Sequence, residues 1–272
     1  MLSNMTIGQF FPGESVMHRL DPRVKLCGLL AQIVLLFTAD NFGALGLMAG
    51  LIVLTMGLSK IRGKLYAKSL KPVWFIVAFT SVLNLFYGTG DPLIKLGGIQ
   101  VTKNGIYNGI YIAARIIFMM LASSVLTFTT SPTQLTDAIE RLLRPLGALK
   151  VPVHDFAMMM TIALRFIPIL IEEADKIMSA QKARGSDMES GGILQRIRAL
   201  IPILVPLFIS AFRRAFDLAT AMESRCYRGG QGRTKLRQSK ISPLDFVAMA
   251  SFLLTFSAFL TLQHVLPPSV RL

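Results

Sequence analysis

The chain has 272 residues, of which 53% are hydrophobic and 16% are charged, a balance outside the usual range of soluble domains. This composition excludes an ordinary soluble domain and indicates a membrane protein with several long apolar segments. The net charge is +14, and 17 of the 29 Lys and Arg residues lie between positions 141 and 240, which indicates a basic internal region on the cytoplasmic side. The two cysteines, Cys27 and Cys226, do not make a disulfide framework.

Five apolar segments are predicted to cross the membrane as helices. A helix needs about 20 residues to cross a hydrocarbon core ~30 Å thick. Five stretches reach or approach that length, at residues 24–39, 42–58, 73–87, 106–127 and 246–262. The third is the shortest, so we expect it to be tilted less than the others or to extend into the interface. The sequence therefore predicts an all-α membrane protein.

The cations between these segments predict their orientation. The second segment is followed by five of them, Lys60, Arg62, Lys64, Lys68 and Lys71, whereas "TADN" before it has no cation. Because cytoplasmic loops carry an excess of Lys and Arg, the N-terminus is predicted to lie inside. The connection 88–105, with only Lys95 and Lys103, is then external, and so is the C-terminus after the fifth segment.

The stretch between the fourth and fifth segments is too long for a simple connection and is predicted to form a cytoplasmic domain of long amphipathic helices. Ser131 as a cap and Pro132 at the first helical position predict a helix over 132–143. Two longer helices are predicted over 153–184 and 193–227, separated by "GSDMESGG", whose glycines permit a reversal. The predicted domains are the membrane domain 1–130, the cytoplasmic domain 131–240, and the final span with its external C-terminus, 241–272.

Each of the two long helices is predicted to end on an arginine that has small neighbours. The two groups are Ala183, Arg184 and Gly185 in the first helix and Ser224, Arg225 and Cys226 in the second. A cation in the last turn of a helix is favoured by the helix dipole by about 0.3 to 1 kcal/mol and needs no partner. Two arginines in the same helical phase, each beside residues too small to shield it, indicate docking contacts instead.

The chemistry of arginine suggests what such contacts would meet. Its guanidinium forms planar, bidentate salt bridges with carboxylates. If the chain reverses at Gly191 and Gly192, the two helix ends point apart, and helices of this length place the arginines tens of ångströms from each other. That spacing suits a partner that is a dimer or pseudo-dimer. The apolar stretch "GGILQRIRALIPILVPLFISAF" predicts a further partner, since so much exposed apolar surface is a liability in a cytoplasmic helix.

Three stretches of this sequence resemble those of a known family. "FPGESVMHRLDPRVKL" before the first segment, "ARG" at 183–185 and "SRCYRG" at 224–229 are similar to the T component of energy-coupling factor (ECF) transporters, the membrane scaffold of vitamin and metal importers. The likeness covers nearly the whole chain. It implies a complex with two ABC-type ATPase subunits (EcfA type), which bind ATP and Mg, and with one substrate-binding membrane subunit, the S component, expected to be exchangeable. It also implies a prokaryotic plasma membrane.

The resemblance assigns the two arginine groups to ATPase docking. Carried over by position, the first docking site is Ala183, Arg184 and Gly185, and the second is Ser224, Arg225 and Cys226. In the second, serine and cysteine replace the alanine and glycine of the commonest family pattern, which leaves the tightness of that contact open. The chain itself is expected to be non-catalytic, with no cofactor or metal of its own; "GLSKIRGKL" lacks the spacing of a phosphate-binding loop.

A stand-alone secondary carrier is the alternative. Such carriers need ionisable residues within their spans and often contain an inverted repeat. Arg115 is the one charged residue that lies well inside a predicted span, since Lys25 stands at the edge of the first. Nucleic-acid binding by "YRGGQGRTKLRQSK", residues 227–240, is less favoured than a positive-inside flank that contacts the lipid bilayer, so no nucleic acid is expected as a partner.

Overall fold

The structure is a computed structural model, and it describes residues 10–87, 92–96, 99–186, 192–229 and 242–265. Helices dominate these residues, which confirms the predicted all-α class. In chain order the elements are α1 (Val16–Arg19), α2 (Pro22–Thr38), α3 (Phe42–Ser59), α4 (Gly63–Leu70), α5 (Trp74–Tyr87), β1 (Pro92–Leu96), β2 (Ile99–Thr102), α6 (Lys103–Thr129), α7 (Pro132–Leu143), α8 (Val153–Ala183), α9 (Ile193–Ser224) and α10 (Pro243–Val265), with 3₁₀ turns at Lys71–Val73 and Arg144–Leu149. The strands β1 and β2 form one antiparallel pair in the predicted external connection.

Every predicted apolar segment is a helix, but two of these helices are short for a membrane. α2 has 17 residues and α5 has 14, or about 26 and 21 Å at 1.5 Å per residue, against a core ~30 Å thick. Five described helices are long and apolar enough to cross: α3, α6, α8, α10 and residues 198–224 of α9. The number is the predicted one, but α8 and α9 take the places of α2 and α5.

Two compact units make up the described chain. One comprises Ile139–Arg237, and the other comprises Phe10–Ala138 with Gln238–Leu272. α8 and α9 belong to the first unit, whereas the other long apolar helices belong to the second. The predicted division into 1–130, 131–240 and 241–272 stays a prediction, because compactness does not report on which side of a membrane a unit lies.

The second unit is built around α6, which packs against α2, α3, α4 and α5, while α10 packs against α2 and α3. Its core contains large buried side chains from four of these helices: Leu36, Met48, Ile52, Tyr111 and Phe259. Gly105 lets the N-terminal end of α6 approach the end of α5, since a Cβ there would lie 2.8 Å from the carbonyl oxygen of Asn84.

Arg115 has a structural role inside α6. Its Nη2 donates to the carbonyl oxygen of Ala39 over 2.6 Å, and the Tyr111 hydroxyl donates to the same oxygen over 2.7 Å. The guanidinium lies over the Tyr111 ring, 4.9 Å from its centroid. The one predicted intramembrane charge therefore ties α6 to the connection that follows α2.

The start of α2 is capped by Asp21, and this cap is part of a larger polar cluster. Asp21 accepts from the amide of Arg23 over 2.9 Å, and its own amide donates to Asp245 Oδ1 over 2.7 Å. The buried Lys25 Nζ donates to the carbonyl oxygen of Thr129 and to Thr130 Oγ1, each over 3.1 Å. The cluster joins the start of α2, the end of α6 and the start of α10.

Candidate functional site

The helices that end on the two arginines, α8 and α9, form an antiparallel pair. Near the start of α8, Met158 Sδ accepts from the hydroxyl of Tyr227, which follows α9, over 3.0 Å. Near the end of α8, Gln181 Nε2 donates over 3.4 Å to the carbonyl oxygen of Pro202, in the first half of α9. The start of α8 therefore lies beside the end of α9, and the end of α8 lies beside the first half of α9, so the two helices run antiparallel.

A polar contact joins the two helices between those points. Glu173 accepts from Ser210 Oγ over 2.8 Å and from Arg214 Nη2. Because both charged side chains are partly exposed, 26% for Glu173 and 41% for Arg214, this ion pair fixes the register of the helices more than it stabilises them. Glu173 and Arg214 are 41 residues apart, which is also the offset between Arg184 and Arg225.

The first arginine lies at the C-terminal cap of α8. The helix ends at Ala183. The amide of Gly185 donates to the carbonyl oxygen of Lys182, and the amide of Ser186 donates to the carbonyl oxygen of Gln181, both over 3.0 Å. Gly185 has a φ of +83°. This pair of reversed hydrogen bonds with a left-handed residue is a Schellman motif, which closes the helix at Arg184.

The second arginine lies at an equivalent cap on α9. The amide of Cys226 donates to the carbonyl oxygen of Glu223 over 2.8 Å and that of Tyr227 to Met222 over 3.0 Å. Cys226 holds the left-handed position with a φ of +55°. This conformation ends α9 at Ser224, three residues before the predicted end at 227, and the two caps match residue for residue.

The structure brings together the three predicted residues of each site and keeps the two sites apart. All six are exposed: Ala183, Arg184, Gly185, Ser224, Arg225 and Cys226. Neither arginine side chain has a hydrogen bond or ion pair with another described residue. Since Gln181 lies beside Pro202, Arg184 is near that level of α9, and ~35 Å of helix separates Pro202 from Arg225. The arginines therefore lie at opposite ends of the pair, as the sequence predicted.

One side of α9 is apolar and uncovered by other described residues. Five side chains at helical spacing are each more than half exposed: Ile201, Val205, Phe208, Phe212 and Phe216. We call this set the apolar face of α9. All of its residues except Phe216 belong to the stretch that the sequence predicted to need a partner.

The contacts between α8 and α9 were not anticipated from the sequence. One of them has a signal in the sequence, the offset of 41 residues that superposes the two arginine groups. Glu173 and Arg214 are opposite charges separated by that same offset. Gly191, predicted to be part of the reversal, lies outside the described residues, as does most of the basic stretch 227–240.

A family of known proteins matches most of the chain. The family model described as "Cobalt transport protein" (CbiQ) matches residues 13–236. That range includes residues 13–138 of the second compact unit, the whole α8–α9 pair and both caps. The match therefore covers every element on which the two arginines depend.

Curated relatives are similar over nearly the full length. The chain is 50% identical over 247 residues to "Energy-coupling factor transporter transmembrane protein EcfT" of Thermosediminibacter oceani, covering 91% of this chain and 93% of that protein. It is 48% identical over 250 residues to the protein of that name from Clostridium kluyveri, with 91% and 93% covered. The Bacillus subtilis protein of the same name is 45% identical over 239 residues, with 88% and 90% covered.

Proposed function

The chain belongs to the CbiQ family and is a membrane component of the energy-coupling factor transporter type, and from this premise we propose that its two arginine-bearing helix ends each dock one ABC-type ATPase. The observation that supports this most is the repetition of one cap. Arg184 and Arg225 occupy the same position of two Schellman motifs, exposed and without a described partner.

The caps suit docking for a physical reason. A residue that closes a helix is held by the backbone hydrogen bonds of the motif, so the base of its side chain is fixed before binding and less entropy is lost on docking. The guanidinium then presents a planar fork to a carboxylate of the ATPase. Two such groups at opposite ends of one antiparallel pair fit two similar surfaces of an ATPase dimer.

The apolar face of α9 is proposed to receive the substrate-binding membrane subunit. A contiguous apolar surface of this kind marks a protein or lipid contact. Because the face lies on the helix that also ends in Arg225, a partner seated there would be linked to an ATPase through one continuous helix of 32 residues. The vitamin or metal would be selected by that subunit and not by this chain.

These contacts lead to a mechanism for coupling. ATP and Mg bind to the partner ATPases, whose approach to each other displaces the ends of α8 and α9. The Glu173–Arg214 contact keeps the two helices in register, so the displacement reaches the subunit on the apolar face. In this account the chain is non-catalytic, and its N-terminus and its Ile139–Arg237 unit lie on the cytoplasmic side of a prokaryotic plasma membrane.

The role of Arg115 weighs against the stand-alone carrier. In such a carrier an intramembrane charge serves the substrate or a coupling ion. Arg115 instead donates to the carbonyl oxygen of Ala39 and stacks on Tyr111. This engagement favours the scaffold, which needs no ionisable transport residue of its own.

Co-purification from the host tests the proposal. The tagged chain is isolated in mild detergent as wild type, as Arg184→Glu with Arg225→Glu, and as a control with the same charge change at two exposed lysines of the same unit, Lys150→Glu with Lys176→Glu. We expect two ATPases and a small membrane protein with the wild type and the control, and loss of the ATPases with the arginine variant. ATPases retained and uptake intact in the arginine variant would show the docking role to be wrong.

A further inference from the structure

The short helix α4 lies between two longer helices and is attached to the bundle by one side. The Tyr66 side chain is 2% exposed, its hydroxyl lies 2.9 Å from Ser59 Oγ, and its ring centroid is 5.3 Å from that of Phe128. One turn further, Ser69 Oγ lies 3.1 Å from Ser124 Oγ. These contacts fix which side of α4 faces away from its own compact unit.

The outward side of α4 is a row of lysines. Lys64, Lys68 and Lys71 are exposed, and their spacing places them on one helical face opposite Tyr66. Lys71 keeps this alignment because its backbone is right-handed helical, with φ −52° and ψ −48°. We call these three residues the lysine row. Residues 60–73 contain no Asp or Glu, so no carboxylate within this segment neutralises it.

The row lies at the boundary of an apolar surface. α3, which is long and apolar enough to cross a membrane, ends at Ser59 just before α4. After the row, α5 begins with Trp74 and Phe75, whose side chains are 71% and 76% exposed, and Phe79, one turn further, is also exposed. Tryptophan is enriched at the level of lipid headgroups, where its ring meets both the apolar and the polar zone.

We propose that the lysine row binds the phosphate groups of anionic lipids, while Trp74 lies at the boundary between these headgroups and the adjoining acyl chains. Ammonium groups one helical turn apart match neighbouring headgroups in a leaflet, and lysine stems can extend from an apolar boundary towards charged groups. An anionic lipid supplies both the charge for the row and the hydrocarbon for Trp74 and Phe75. This surface is separate from the arginine sites, so the inference goes beyond the proposed function and does not rest on it.

A fluorescence measurement on the full chain tests this binding directly. Trp74 is the single tryptophan of the sequence, so its emission reports on this boundary alone. The chain is reconstituted in phosphatidylcholine vesicles with a minor fraction of phosphatidylglycerol, and bromine, which quenches tryptophan, is placed on the acyl chains of either lipid. From the attraction expected of one lysine near an anionic surface, we expect phosphatidylglycerol to be enriched about fivefold beside Trp74 over its bulk fraction.

Two sets of substitutions separate the row from net charge. Lys64→Gln, Lys68→Gln and Lys71→Gln together should return quenching to the bulk proportion of the two lipids. Lys150→Gln, Lys176→Gln and Arg213→Gln remove the same charge from exposed positions of the other compact unit and should leave the enrichment unchanged. High salt should lower the enrichment in the wild type, a readout that needs no variant to fold.

The opposite results would overturn the proposal. Wild-type quenching that follows bulk composition would exclude a lipid site and leave the row as a surface for an acidic protein. An enrichment that survives in the lysine-row variant would place the lipid contact elsewhere. ATPases are absent from the vesicles, so failure of the arginine docking would not affect the measurement.

Discussion

The two helix caps differ at the left-handed position, and that difference predicts opposite effects of two substitutions. The left-handed residue is Gly185 in the first cap and Cys226 in the second, with φ of +83° and +55°. A side chain with a Cβ is strained in this region because the Cβ approaches the following carbonyl oxygen, at a cost of about 1 kcal/mol or more. A Cβ on Gly185 would meet nothing within 4 Å, so the cost there comes from the backbone alone.

The expected result is a change in how often each cap opens. Gly185→Ala should favour opening of the first cap by about 1 kcal/mol, which raises its opening equilibrium constant about fivefold. Cys226→Gly should lower the opening equilibrium constant of the second cap by up to the same factor. The two reporters are the amides of Ser186 and Tyr227, since each donates the hydrogen bond of its cap that spans five residues, over 3.0 Å. Their exchange with solvent deuterium measures the opening.

The direction of the change in amide exchange rate tests the geometry of the two caps. Faster exchange at Ser186 in Gly185→Ala and slower exchange at Tyr227 in Cys226→Gly would support the cap geometry. Unchanged exchange, or a change of the same sign in both variants, would refute the reasoning that the caps are equivalent and that Cys226 is strained. Each variant also serves as the control for the other, because Gly185→Ala leaves the cap at Cys226 unaltered and Cys226→Gly leaves the cap at Gly185 unaltered.

Three further substitutions test the packing of the membrane unit, each by thermal unfolding in detergent. Arg115→Leu should destabilise the chain by about 1.5 to 3 kcal/mol, because it removes a charged donor from the carbonyl oxygen of Ala39; an unchanged unfolding temperature would contradict that role. Gly105→Ala should destabilise it more than Gly46→Ala, since an added Cβ would lie 2.8 Å from the carbonyl oxygen of Asn84 at the first position and meet nothing within 4 Å at the second; equal effects would contradict the close approach of α5 to α6. Lys25→Met should destabilise it by about 2 kcal/mol or more, because Lys25 donates to Thr129 and Thr130, whereas Lys150→Met at an exposed position should not.

Local signals in the sequence predicted several elements well. α7 occupies the predicted range 132–143, because Ser131 and Gln134 form a reciprocal cap: the Gln134 amide donates to Ser131 Oγ over 3.3 Å, and the Ser131 amide donates to Gln134 Oε1 over 3.1 Å. α8 and α9 also begin at the predicted residues, Val153 and Ile193, directly after Pro152 and Gly192, although neither start has a side-chain cap. Such signals lie within a few residues of the boundary they define, so they can be found without the fold.

The helix α4 and the exact end of α9 were not among the predicted features. The cations after α3 predict orientation, and three of them, Lys64, Lys68 and Lys71, also have the one-turn spacing of a helix, which is the signal for α4. The predicted end of α9 at 227 is three residues too late. Cysteine is not a residue that favours positive φ, so nothing in the identity of Cys226 indicates the cap. Only the offset from Gly185 would have predicted it.

Contacts between distant segments could not be predicted from one sequence. Lys25 and Thr129 are separated by 104 residues, and no local pattern indicates that they meet. The same holds for the hydrogen bond of Tyr227 to Met158. For the candidate site, the sequence therefore predicted the two arginine groups and their separation, while the antiparallel pairing that positions them required the structure.

The central claim is that each arginine cap binds an ATPase, and the dissociation constant of the ATPase pair for this chain in lipid nanodiscs tests it most directly. Removing one member of a desolvated, hydrogen-bonded charge pair typically costs 2 kcal/mol or more. The account therefore predicts that Arg184→Gln and Arg225→Gln, tested singly, each weaken binding by about 30-fold or more, while Lys176→Gln leaves it within about twofold. Binding by both arginine variants that matches the Lys176→Gln control would contradict the claim.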